Sequence, residues 1–179
     1  MPESDTHSPE AKGRYAALAS AIARAGTGDA AALARLSADD LQPHQVAALV
    51  RALLVAGLTP EHWPIALWTQ WALIAHGMAL AGHDGSRSLG KQLADANVAE
   101  SRVTKLLTAR GEAFSALVPR ILRLLASKGV KPNWNDLGRL IQSQASSEVE
   151  SLERAEEIRL KIASSYFSAV AKKDRQSAV

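Results

Sequence analysis

The chain has 179 residues, no cysteine, 47% apolar and 4% aromatic residues, and a formal charge of +3 from 21 Lys and Arg against 18 Asp and Glu. That length can bury a core without covalent staples, while the lack of cysteine excludes a disulfide framework and thiolate zinc sites and fits a reducing compartment. The most apolar stretch, Trp63 to Ala81, is interrupted by Thr69, Gln70, His76 and Gly77, too short and too wet to span a bilayer; Glu3, Asp5 and Glu10 near the start do not read as a secretory signal, so a cytoplasmic protein is expected.

Abundant Ala, missing β-branched runs and apolar positions recurring at three and four residues predict helices nearly throughout. No segment alternates with period two. The expected fold is all-α, two small helical bundles of about eight to nine helices with no sheet. After a flexible leader (1–10), the N-terminal bundle (11–81) opens with a helix from Ala11 to Ala25, closed by Gly26-Thr27-Gly28. A short helix from Asp29 to Leu36 follows, with Asp29 placed to cap it. Pro43 suits the first turn of a helix ending before Gly57. Pro60 and Pro64 open the next, whose apolar residues run round most of its circumference and mark it as central.

Gly82 to Arg87 reads as a flexible loop. The C-terminal bundle (88–173) then carries helices over Leu89 to Asp95, Ala99 to Thr108, and Ala113 to Ser127, the last interrupted or restarted at Pro119. Asn133, with Asp136 three positions on, is a capping arrangement before Trp134, Leu137, Leu140 and Ile141. Ser146 or Ser147 caps a final helix striped by Val149, Leu152, Ala155, Ile158, Ile162, Tyr166 and Val170, and a tail (174–179) closes the chain. That helix has Glu148, Glu150, Glu153, Glu156 and Glu157 early and Lys172 and Lys173 late, matching the helix dipole. The acidic run reads as a solvated face.

Charge is distributed unevenly. Residues 87–131 hold nine Lys or Arg against three acids, a block of +6, whereas the preceding residues sum to −3 and the following ones balance. A helical block of that sign suits a polyanion, because each cation near a phosphate gains from counterion release. Arg102 with Lys105, and Arg120 with Arg123, recur at helical spacing and can share faces. Few aromatics are available for base stacking, so binding through the backbone, indifferent to sequence and salt-dependent, is expected.

Other constellations are weaker. Gly85 to Lys91 satisfies the G-x-x-x-x-G-K spacing of a phosphate-cradling loop, but Gln92 stands where Ser or Thr would hold magnesium, and no buried strand precedes it. His7, His44, His62, His76 and His83 show no paired ligand spacing. Convergence of His76, His83 and Asp84 on a metal is weighed against core or rim imidazoles, which the spacing favours. No nucleophile, acid pair or cofactor signature stands out, and no enzyme, metal or cofactor is expected.

Ser88-Leu89-Gly90-Lys91-Gln92-Leu93-Ala94, followed by Glu100, Arg102 and Leu106-Leu107, resembles the CasB family, the small subunit of the type I-E CRISPR surveillance complex Cascade. Asn133-Trp134, Gly28-Asp29 through Leu33 and Arg35, and Trp71 to His76 are similar to further segments of that family, so the likeness covers roughly residues 13 to 170. Ala34 and Ala30 depart from its basic N-terminal pattern, leaving Arg35 alone there. The resemblance implies a non-enzymatic, all-helical subunit that contacts guide RNA and target heteroduplex, helps hold the displaced non-target strand, and stands beside backbone and large subunits as a head-to-tail pair.

The expected phosphate contacts are Arg35, Arg87, Lys91, Arg102, Lys105, Arg110, Arg120 and Arg123. For Arg110 and Arg120 a pairing with Glu112 or the C-terminal acids stays open. The rival from another class is a helical scaffold whose basic face binds an acidic protein.

Overall fold

The computed structural model describes residues 9–38 and 40–178. Among them are nine α-helices, one 3-10 turn and no strand. They are α1 (Pro9–Ala23), α2 (Thr27–Ala34), α3 (Pro43–Val55), the 3-10 turn (Pro60–His62), α4 (Ile65–Ala81), α5 (Leu89–Asp95), α6 (Glu100–Thr108), α7 (Gly111–Ser127), α8 (Trp134–Gln144) and α9 (Val149–Ser177). Residues 1–8 of the expected leader lie outside the described residues. At the other end α9 runs to Ser177, well into the stretch read as a tail.

The all-α expectation holds, and α4 is its centre. Every residue from Trp71 to Met78 is buried. A helix apolar all round needs neighbours on all sides, and α4 packs against α1, α2, α7 and α8. One continuous core results. It runs from Leu18 and Leu49 through Trp71 and Ile74 to Leu122, Trp134 and Ile162. Glycines set two of the closest approaches: a methyl at Gly77 would strike the Trp134 ring and Leu122, and one at Gly138 would strike the Tyr15 ring. The groups 11–81 and 88–173 thus share their interior, and α7 packs chiefly on α4, across the loop.

Local details differ from the sequence reading for identifiable reasons. Asp29 lies in the first turn of α2 but pairs with Arg51 of α3, at 2.7 Å to Nε, instead of capping. That guanidinium holds the Asp29 carboxyl below its usual range. Pro119 does not interrupt α7, which is continuous from Gly111 to Ser127. Proline removes the amide that would bond the carbonyl of Ser115, and Ser115 is exposed, where water can satisfy that oxygen. Asn133 does cap α8, accepting from the Asn135 amide at 2.9 Å. In α9 the cap position is Glu148, whose amide donates to Ser146 Oγ. Its expected stripe begins late: Val149 and Leu152 are exposed, while Ala155, Ile162 and Tyr166 are buried.

Candidate nucleic-acid interface

The Ser88 to Ala94 block turns almost entirely inward. Leu89, Leu93 and Ala94 are core residues, and buried Gln92 donates to the Asp84 carbonyl at 2.9 Å and accepts from the Asn133 amide at 2.6 Å. A methyl at Gly90 would collide with Ser165 Oγ and the Ile162 carbonyl, so the missing side chain lets α5 lie directly on α9. The helix start already has its anion: Asp136 Oδ2 accepts the Leu89 amide at 3.0 Å while Oδ1 pairs with Lys161 at 3.1 Å. With that carboxylate in place, and helix α4 where a strand is required, Gly85 to Lys91 is not a phosphate loop. Lys91 alone of the block's charged or polar long side chains is exposed.

The segment from Gly82 to Ser88, read as flexible, is pinned to the start of α8. Trp134 Nε1 donates to the Gly82 carbonyl at 2.8 Å, the Trp134 amide to His83 Nδ1 at 3.2 Å, and Asn133 Nδ2 to the Arg87 carbonyl at 2.8 Å. To accept at Nδ1, His83 must be unprotonated there. Burial pushes its pKa down in the same sense, against the opposing pull of the Pro132 carbonyl and Asp84. His76 is elsewhere, with Nδ1 against the Leu33 carbonyl at 3.3 Å. Its pKa is also lowered by burial. Among the described residues no group of three His, Asp or Glu is arranged to hold a metal ion.

The eight expected phosphate contacts divide by what surrounds them. Arg110 is engaged by α9: its guanidinium meets both Glu156 oxygens at 2.7 and 3.0 Å and the carbonyls of Leu107 and Ala109. Buried Arg159 holds the same Glu156 at 2.8 Å, so Arg110 clamps the α6–α7 junction to α9. Arg87 pairs with Asp95 at 2.5 Å. Lys91 stands one turn before Asp95 on the exposed face of α5, and Lys173 from the far end of α9 approaches Asp95 at 3.8 Å while donating to the Ala94 carbonyl. Two cations, Arg87 and Lys173, therefore meet one carboxylate. Sequence reasoning missed Lys173, because its one visible signal, a cation late in a helix, is accounted for by the dipole alone.

On α6, Arg102 and Lys105 are exposed while Val103 and Leu106 are buried; on α7, Arg120 and Arg123 project opposite the buried Val118, Ile121, Leu122 and Leu125. None of these four has a carboxylate partner among the described residues, and neither have Lys91 and Arg35. Arg35, just past α2, comes to the same groove as Arg123 although 88 positions separate them in the chain. Trp71 and Trp134 are buried, and Trp63 stacks on Trp71 at 5.8 Å. The exposed chemistry is cationic rather than aromatic.

A family model described as CRISPR-associated protein Cse2 matches residues 29–167, most of the chain. The protein belongs to the CRISPR-associated protein Cse2 family. This is the CasB family that the Ser88 to Leu107 block resembles, so the protein is a CRISPR-associated small subunit of the Cascade type. The match includes all eight expected phosphate contacts and every helix from α2 to α8 in full, apart from the first turn of α2. Among curated proteins and among solved structures nothing matches. As a Cse2 family member the chain is a structural component of a larger assembly, and no helix among the described residues is long and apolar enough to cross a membrane.

Proposed function

We propose that this protein is a non-catalytic subunit that grips nucleic-acid backbones inside a type I-E Cascade complex in the cytoplasm, supporting the guide RNA and target heteroduplex and holding the displaced non-target strand in antiviral defence. The observation that carries this is the set of exposed, carboxylate-free cations Lys91, Arg102, Lys105 and Arg120 on three successive helices, with the local acid Asp95 already engaged by Arg87 and Lys173. Exchange of a DNA duplex for an RNA–DNA heteroduplex is nearly balanced in free energy, so modest contacts to the freed strand tip it toward the open form. Cations that ignore base identity suit a subunit that must accept any target. The subunit takes its place beside the backbone and large subunits as one of a head-to-tail pair, and Leu160 and Phe167, exposed on α9, are available for protein contacts.

Charge reversal at Lys91 and Arg102 together is expected to weaken single-stranded DNA retention on the order of tenfold at low salt, with the melting temperature unchanged because both side chains are exposed. A gel shift identical to that of the parent protein removes this face from the interface. The scaffold reading is separated by competition: generic single-stranded DNA displaces a nucleic-acid partner from this face and leaves an acidic protein bound through specific contacts.

A further inference from the structure

Between the end of α2, the first turns of α4, α7 and the end of α8 lies a groove of about 930 Å³, within the roughly 300–1,000 Å³ typical of small-ligand sites. Leu36, Leu73 and Ile141 give it an apolar floor. Arg35 and Arg123, both exposed, stand at its rim with Glu112, so the rim keeps one net positive charge. His76, 8% exposed, lines the interior. A carbonyl can only accept, so the contact with Leu33 places the ring hydrogen on Nδ1 and leaves Nε2 as an acceptor with no partner among the described residues. Burial lowers the pKa of this imidazole, and nearby Arg123 acts in the same direction. Gln144 lines the same groove with its Oε1 taken by Arg159 at 2.6 Å, leaving only its Nε2 donor.

Apolar walls, His76 and Gln144 offering an acceptor and a donor among other polar lining side chains such as Gln70, and two guanidiniums against one carboxylate at the rim describe a ligand with a flat apolar body, mixed hydrogen-bonding edges and an attached anion. A nucleotide has all three. We propose that this groove holds one unstacked nucleotide of a bound single strand, its base inward between Leu73 and Ile141 and its phosphate between Arg35 and Arg123. The assignment rests on the backbone-gripping role proposed above and adds a base-sized receptacle to it. Guanidinium pairs suit phosphate because their forked donors match its oxygens, and an unstacked base regains in a pocket the apolar contact it loses from its neighbours.

The test uses the full-length protein with a single-stranded DNA oligomer at low salt and with the corresponding deoxyribose-phosphate chain lacking bases. Ala116→Trp, on an exposed turn of α7 bordering the groove, fills it without removing a cation. Wild-type protein is expected to bind the complete oligomer roughly tenfold more tightly than the baseless chain, the effect of one accommodated base. Ala116→Trp is expected to bind both with the weaker affinity, at an unchanged melting temperature. Ser115→Phe, on the neighbouring exposed position, repeats the block should the indole disturb α7. Equal affinity of the wild type for both oligomers overturns the groove assignment and leaves the backbone role standing, whereas failure to bind either oligomer overturns both. A glutamate-rich peptide that binds the wild type and is excluded by Ala116→Trp would make this a peptide groove and also overturn the assignment.

Discussion

Two neighbouring residues, Gly90 and Lys91, show how differently one motif can use adjacent positions. A methyl at Gly90 meets the Ser165 hydroxyl and backbone atoms of Ile162 and Tyr166, the last at 2.7 Å from its amide nitrogen. Backbone cannot step aside as a flexible side chain can, so Gly90→Ala is expected to cost about 3 kcal/mol, the upper end for overpacking a core. Lys91→Ala, exposed and unpaired, should fall within about 0.5 kcal/mol of the parent. Urea midpoints of the two variants check the contrast, and equal midpoints would mean α5 does not rest on α9 at Gly90. Sequence alone does not separate this glycine from one that admits a phosphate, because both roles need the same missing Cβ. Asp136 carries the distinction, and it arrives 46 residues after Gly90.

Helix positions were legible because each depends on neighbours three or four residues away. Pro43 at the first turn of α3, the Asn133 cap and the extent of α5 all agree with local rules. What escaped such rules was long-range pairing: Asp29 with Arg51, and the hold of Asn133 and Trp134 on residues 82–87. That hold has a pH signature. His83 is 6.5 in its ordinary state and lowered by burial in the fold, so the unfolded chain binds the proton more readily. Stability is therefore full above the ordinary value and falls as pH drops through it, and His76 adds to the same loss. Melting temperatures should hold from about pH 8 to about pH 7 and decline from there to about pH 5. His83→Gln keeps an acceptor for the Trp134 amide but cannot titrate, so its melts should decline less; a decline matching the parent's would show that His83 contributes nothing to the loop's hold.

Across the whole molecule the charge asymmetry was legible as a block, but which of its cations meet a carboxylate was legible only in part. In sequence Arg110 is open to pairing with Glu112 or the C-terminal acids, and Glu156 on α9 is the acid that takes it, while Lys91 has no carboxylate partner among the described residues. Lys173 likewise joins Arg87 at Asp95 only because α9 lies along α5. Six of the eight expected phosphate contacts, Arg35, Lys91, Arg102, Lys105, Arg120 and Arg123, are exposed and have no carboxylate partner among the described residues, and their number sets the expected salt dependence. At about 0.7 counterions released per phosphate contact on a single strand, the affinity should fall with a log–log slope of about −4. Lys91→Ala should reduce the slope by about 0.7 by removing one contact. Arg110→Ala should leave it unchanged while lowering stability, because it breaks the junction with Glu156 and the Leu107 and Ala109 carbonyls. Fluorescence anisotropy over a salt series reads both variants. If Arg110→Ala flattens the slope as much as Lys91→Ala does, Arg110 leaves Glu156 for the phosphate on binding, and the division of cations by their partners in the free protein fails.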